Sequence, residues 1–241
     1  MLTVIGIGPG SEAMMTEEAV TALKEAEVVV GYKTYTHLVK PLVGDKEVIK
    51  TGMRKEIERC YLAIELAQEG KNVAMVCSGD AGIYGMAGLI LEIVTKEKRD
   101  IQVRVVPGIT ASIAAASLLG APLMHDFCHI SLSDLLTPWE VIEKRIKAAA
   151  EADFVICFYN PRSLGREGHL ARAFELMAPF KAATTPIGVV KAAARKKEEK
   201  WITTFGEMEY ERVDMTSLVI VGNKSTYISD DLMITPRGYK L

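Results

Sequence analysis

The chain has 241 residues, 49% of them apolar and 25% charged, the balance of a soluble globular protein with ample core for one or two domains. That excludes a disordered chain, which lacks the apolar surface to fold. The net charge of −2 from 29 basic and 31 acidic residues, with aromatics at only 7%, argues against a dedicated nucleic-acid binder, which carries a basic excess and stacking platforms.

Residues 2–7 form a short apolar run that closes in glycines, the pattern of a buried parallel strand. Thr16, Glu17 and Glu18 then predict a helix to about Lys24, with a hydroxyl N-cap and acids at the positive end of the dipole. Residues 28–30 are the next strand. Ile57, Cys60, Tyr61, Ile64 and Ala67 make a helical stripe over 55–69, closed by Gly70. Strands follow at 72–77 and 101–106, and this alternation implies a mainly parallel sheet. A seam at Gly120-Ala121-Pro122 divides the chain into domains 1–120 and 121–241. Beyond it, residues 127–132 read as a strand and 138–150 as a helix with Pro in its first turn. Strands at 154–159, 186–190, 200–205 and 217–221 are more β-branched, which suggests a mixed sheet. The fold expected is α/β: two αβα domains, the first mainly parallel and the second mixed, with the active site in the cleft between them.

Cys60, Cys77, Cys128 and Cys157 are widely spaced and make no CxxC pair, and no secretory leader is read before Val4. Buried free thiols in a reducing, cytoplasmic compartment are expected, rather than disulfides or metal ligands. Residues 105–124 carry no charge and are long enough to span a bilayer. Pro107, Gly108, Gly120 and Pro122 interrupt them, so a buried small-residue helix is expected and no membrane partner.

Three strand ends carry small-residue loops. Gly6-Ile7-Gly8-Pro9-Gly10 follows the first strand, but Ser11 stands where the dinucleotide fingerprint needs its third glycine. Pro9 also lacks the N–H that would face a pyrophosphate. Residues 78–88 follow the strand ending at Cys77 and place glycines at 79, 82, 85 and 88. Read as helical, that spacing suggests close approach of another backbone or a ligand, with helix–sheet packing accounting for Gly85 and Gly88. Asp80 sits where open α/β sheets place ligand-binding residues. Val106-Pro107-Gly108-Ile109-Thr110-Ala111-Ser112 is again strand, turn and helix, with Thr110 either an N-cap or part of a site. No GxSxG, HExxH or Walker loop is present, and no metal site is expected.

These three segments together resemble the tetrapyrrole methyltransferase family, and the resemblance covers essentially the whole chain. Residues 125–139, from His125 to Trp139, and Phe158-Tyr159-Asn160-Pro161-Arg162-Ser163 are similar to the branch that methylates precorrin-3B at carbon 17. The resemblance implies an enzyme that binds S-adenosylmethionine, releases S-adenosylhomocysteine, and contracts the macrocycle during cobalamin synthesis, in an oxygen-dependent or a cobalt-dependent, anaerobic version. It implies cofactor contacts at Gly8, Pro9, Gly79, Asp80, Ala81, Ile83, Tyr84, Thr110 and Ala111, and from the second domain at Tyr159, Asn160, Gly188 and Ser217. Many relatives carry Met at the position of Asn160. A homodimer is the family expectation.

Methyl transfer from a sulfonium needs alignment more than acid–base chemistry. Ring contraction can use a proton donor or acceptor, and His125, His129 and Asp134 are the candidates, clustered in sequence with Asp126. An acidic tetrapyrrole requires local cations despite the global charge. Arg162 and Arg166 are the first candidates, and Lys33, Arg54 and Lys191 are the next. Two other readings remain open: a sibling methyltransferase acting on another tetrapyrrole, a protein side chain or ribosomal RNA, and a non-catalytic cofactor sensor. The cluster Lys191, Arg195, Lys196, Lys197 is what keeps RNA among them, although no nucleic-acid partner is expected.

Overall fold

The computed structural model describes residues 1–240, which form two compact units that divide after Ala111. The first contains strands β1 (Leu2–Gly6), β2 (Val28–Tyr32), β3 (Glu47–Thr51), β4 (Val73–Cys77) and β5 (Val103–Val106), with helices α1 (Glu17–Glu25), α2 (Lys33–Val43), α3 (Glu56–Gln68) and α4 (Ala87–Lys96) between them. All strand pairs are parallel, in the order β3-β2-β4-β1-β5. The strand period of two sends Val4, Val28, Val30, Val73 and Met75 into one core with α3 and α4. Ile5, Val29, Ala74 and Val76 enter the other, with α1 and α2. Both faces are therefore covered, which is why these strands read as unbroken apolar runs.

Thr16 caps α1, its Oγ1 accepting from Ala19 N at 3.1 Å. Gly70 (φ 90°) ends α3 in a Schellman motif: Gly70 N donates to Ala67 O at 3.1 Å and Lys71 N to Leu66 O at 3.2 Å. Helix α2 buries Thr36, Val39 and Val43 along one face although it holds Pro41 inside it, a residue that usually argues against a helix. The glycine segment differs from its helical reading. Residues 78–86 are an irregular loop, and α4 begins only at Ala87. A Cβ on Gly85 would lie 2.3 Å from Ala81 O in its own loop, whereas one on Gly88 meets nothing within 4 Å. Helix–sheet packing accounts for neither.

The second unit contains α5 (Ala111–Leu119), β6 (Gly120–Ala121), β7 (Phe127–Ser131), α6 (Trp139–Glu151), β8 (Val155–Tyr159), α7 (His169–Met177), β9 (Pro186–Lys191), β10 (Glu199–Thr204), β11 (Ser217–Val221), β12 (Tyr227–Ser229) and β13 (Leu232–Ile234). Its main sheet, β10-β9-β11-β8-β7, is mixed: β7 and β8 run parallel and the remaining pairs antiparallel. Helices α6 and α7 cover one face, burying Ile142, Ile146, Leu170 and Phe174 against Ile130, Ile156, Phe158 and Val219. The division falls earlier than the Gly120–Pro122 seam because α5 is fastened to this unit. Leu119 and Met233 pack where a Cβ on Gly188 would stand, Lys200 Nζ donates to Leu118 O at 2.5 Å, and β6 pairs with β13. The uncharged stretch 105–124 is thus divided among β5, a nine-residue helix and β6, and no helix among the described residues is long and apolar enough to cross a membrane.

Candidate functional site

In the first unit the chain leaves β1 toward α1 and leaves β4 toward α4, whose cores lie on opposite faces of the sheet. Because β1 and β4 are neighbours, their carboxyl ends form a topological switch point, where open α/β sheets bind ligands. The three small-residue loops meet there and lock together through backbone atoms. Gly8 N donates to Gly79 O at 3.0 Å and Gly79 N to Gly8 O at 2.7 Å, an isolated antiparallel bridge between the first two loops. The third joins through Asp80: Oδ2 accepts from Gly108 N at 3.0 Å, while Oδ1 accepts from Gly82 N at 2.7 Å and Ile83 N at 3.0 Å. Both carboxylate oxygens are thus occupied by backbone donors, and Asp80 acts as the clasp of the edge.

Glycine is required here by proximity. A Cβ on Gly108 would stand 2.3 Å from Gly79 O, and one on Gly8 (φ 69°) would stand 2.6 Å from Met14 O. A bulky Gly8 variant would therefore collide with the chain itself. Ala81 and Thr110 are buried, Pro9 is buried, Ile83 and Ala111 are half-buried, and Tyr84 (φ 53°) is 55% exposed. Lys33 and Arg54 are exposed after β2 and β3 on the same sheet edge. Sequence reasoning missed Arg59, which is buried in α3 and donates from Nε to Thr51 Oγ1 at 2.5 Å and from Nη2 to Gly52 O at 3.0 Å. It pins the loop that carries Arg54.

In the second unit the ends of β7 and β8 are tied by Asn160 (φ 52°), whose Nδ2 donates to Ser131 Oγ at 2.9 Å. Tyr159 OH accepts from Ser112 N at 3.1 Å, and its ring lies 5.1 Å from that of His129. Burial holds the His129 imidazole below its ordinary pKa and favours the neutral ring. Asp134 pairs with His169, Nε2 to Oδ2 at 3.0 Å, and that hydrogen bond holds its carboxyl below the usual aspartate value. Arg166 Nε donates to Ser163 Oγ at 2.8 Å and lies 4.0 Å from Asp134 Oδ1, while its buried Nη1 has no partner. Arg162 is committed within the unit, to Tyr210 O at 3.0 Å and Glu211 Oε2 at 2.6 Å.

The structure does not gather the sequence cluster of His125, Asp126, His129 and Asp134. His125 and Asp126 precede β7 beside a cavity of about 290 Å³ at the amino end of the strand, with Asp153, Asn223 and Lys224. Asp134 follows the opposite end. The strand that made them look adjacent separates them, because it advances about 3.3 Å per residue. His169 was missed, since 35 residues separate it from Asp134. Gly188 is enclosed by Leu119 and Met233. Ser217 is buried, and its Oγ lies 3.3 Å from Asp214 Oδ1. Lys191 pairs with Asp214 at 2.7 Å. All four cysteines are free, three of them buried and Cys128 half-buried.

The loops gathered at the strand ends stand where open α/β sheets place their ligands. The chain belongs to the tetrapyrrole (corrin/porphyrin) methylase family, whose model matches residues 1–209. It is 77% identical over 241 residues, the whole of both chains, to a probable cobalt-factor III C(17)-methyltransferase of Salmonella typhimurium. It is 40% identical over 246 residues to a precorrin-3B C(17)-methyltransferase of Sinorhizobium sp, covering 99% of this chain and 96% of that one. Among solved structures, the crystal structure of the methyltransferase CobJ superposes with a TM-score of 0.93 at 37% identity, over 98% of this chain and 99% of that one.

Proposed function

We propose that this chain is an S-adenosylmethionine-dependent C-methyltransferase of cobalamin biosynthesis that methylates carbon 17 of cobalt-factor III, or of the metal-free precorrin-3B, with contraction of the macrocycle. The observation that carries this reading is the 77% identity, over the full length, to the Salmonella protein. That this identity is well above the 40% to the precorrin-3B enzyme favours cobalt-factor III as the preferred substrate. A cytoplasmic homodimer is part of the same proposal, and the free thiols suit a reducing compartment.

In the first unit Gly8, Pro9, Gly79, Asp80, Ala81, Ile83, Tyr84, Thr110 and Ala111 are the proposed cofactor residues. Tyr159, Asn160, Gly188 and Ser217 are those of the second. The donor chemistry of the first set suits such a group. Its rim is backbone and hydroxyl, its one carboxylate is already engaged by three N–H groups, and Pro9 offers no donor to a pyrophosphate. When bound, the cofactor supplies a methyl group already activated by a sulfonium. The task of the chain is to hold the nucleophilic carbon in line with it, and the interlocked loops give the rigidity that alignment demands. Asp134, kept ionised by His169, and His129, kept neutral by burial, are the groups suited to move a proton during ring contraction. His125, at the other end of β7, is set aside from that role. Lys33, Arg54, Arg166 and Lys191 are the proposed carboxylate partners, while Arg162 serves first to hold Tyr210 and Glu211. Incubating the protein under nitrogen with S-adenosylmethionine and cobalt-factor III, or with the metal-free analogue, tests the proposal. The cobalt form should gain one methyl, with a spectral change from ring contraction. Turnover of uroporphyrinogen III alone would overturn the substrate assignment.

A further inference from the structure

Strands β8 and β9 both pair antiparallel with β11, so their carboxyl ends lie on one edge of the second sheet. At the end of β9 that edge opens into a cavity of about 460 Å³ lined by Lys191, Arg195, Lys196, Lys197, Asp214 and Thr216. Four cations face one carboxylate, and that carboxylate is saturated. Asp214 accepts from Lys191 Nζ at 2.7 Å, Thr216 N at 2.8 Å, Thr216 Oγ1 at 2.6 Å and Ser217 Oγ at 3.3 Å. Burial works to raise its pKa, but these donors prevail and hold it below the usual aspartate value. The next carboxylate along the chain, Glu198, is turned onto Ala194 N at 2.6 Å. Lys196 and Lys197 are exposed, and neither is in an ion pair among the described residues.

The loop is built to hold this charge. Ala192 (φ 49°) and Ala194 (φ 57°) adopt left-handed backbone without being glycine, a strained choice that persists only where surrounding bonds enforce it. Those bonds run from Ala192 N to Thr216 O, from Arg195 N to Ala192 O and from Glu198 N to Arg195 O, each at 3.0 Å. Lys196 and Lys197 are thereby kept side by side, and an oxyanion relieves the repulsion between these two adjacent charges.

We propose that this cavity is an anion subsite taking carboxylate arms of a polycarboxylate macrocycle; the choice of macrocycle rests on the function proposed above. The probe is uroporphyrin III, an octacarboxylic acid, with its octamethyl ester as the uncharged control and inorganic pyrophosphate as competitor. Binding is read by porphyrin fluorescence across salt concentrations, for wild type and the double variant Lys196→Gln/Lys197→Gln. The substituted side chains are exposed, so an unchanged thermal midpoint is expected. Each exposed charge contributes modestly, so the double variant should bind the free acid about three- to tenfold more weakly at low salt, and the difference should close at high salt as screening sets in. The ester should not bind measurably. Equal binding of the free acid by wild type and variant at low salt would overturn the inference, as would equal binding of acid and ester. Calorimetric binding of pyrophosphate, lost in the double variant, by a protein that ignores the free acid would assign the cavity to phosphate instead. Wild-type methyl transfer to cobalt-factor III is scored separately. If it succeeds while the variant binds normally, only the subsite fails; if it fails while the variant loses binding, the subsite stands and the proposed reaction falls.

Discussion

Asp80 offers the sharpest test of how the first unit builds its site, because one side chain holds three backbone donors from two loops. Asp80→Asn is nearly isosteric. Its remaining carbonyl oxygen can still accept from Gly82 N and Ile83 N, as Oδ1 does at 2.7 and 3.0 Å. The new NH2 group must then face Gly108 N–H, where Oδ2 now accepts at 3.0 Å. A hydrogen bond to a charged group contributes about 1.5–3 kcal/mol, and here it is replaced by a donor facing a donor. The loss falls on the junction of the second and third loops, so hydrogen exchange should show Gly108 N–H losing protection while the amides of β1 and β4 keep theirs. If those loops hold the cofactor, S-adenosylhomocysteine affinity measured by calorimetry should fall by about tenfold, since 1.4 kcal/mol is a factor of ten. Asp80→Ala removes all three bonds and should cost about 3 kcal/mol or more. Wild-type exchange at Gly108 together with wild-type affinity in Asp80→Asn would refute the clasp.

Gly8→Ala should destabilise far more than Gly70→Ala in thermal melts. Both add a Cβ at positive φ, costing about 1–2 kcal/mol, but only at Gly8 does it meet a backbone oxygen at 2.6 Å, and nothing lies within 4 Å at Gly70; equal costs would contradict the packing described. The aspartate pKa is lowered by His169, so the stability this group contributes is present above the ordinary aspartate value and lost as pH falls through the lowered one. His169→Gln should raise the Asp134 carboxyl in an NMR titration and flatten that acid limb, and an unmoved Asp134 would count against the pair. Burial pushes the thiols of Cys60 up to about 12 and of Cys77 and Cys128 to about 11. At pH 8 the buried thiols of Cys60, Cys77 and Cys157 should therefore react with a disulfide reagent only as fast as the protein unfolds, with the half-buried Cys128 the first to label, and rapid labelling of the three in the folded state would contradict their burial.

The parts of this fold legible in the sequence are those whose physics is local. Alternating burial on two covered faces makes β1, β2 and β4 continuous apolar runs, and Thr16 and Gly70 mark helix ends through their own hydrogen bonds. Helix α2 was hidden because Pro41 and a β-branched sequence obscure a helix that tertiary packing of Val39 and Val43 stabilises. The loop over 78–86 was misread because glycines at intervals of three mimic a helical face, whereas here Gly79 faces the backbone of Thr110 and Ala111, Gly85 folds against Ala81 O in its own loop, and Gly88 meets nothing within 4 Å. At the candidate site, the loops of Gly8, of Gly79 and Asp80, and of Thr110 were legible from their positions after strands, and the structure joins them through Gly8–Gly79 and Asp80–Gly108 backbone bonds. The partnerships of Asp134 with His169 and of Arg59 with Thr51 and Gly52 come from side chains brought together by the fold, with no periodic signal to announce them.

The central claim is that this chain places a methyl group on carbon 17 of a corrin precursor, and the most direct measurement follows that methyl. S-adenosylmethionine carrying an isotope-labelled methyl, incubated anaerobically with cobalt-factor III and the protein, should yield one product whose single labelled methyl resonance couples to the ring position of carbon 17. A labelled methyl at any other carbon, or labelled cofactor recovered intact beside unchanged substrate, would contradict the account.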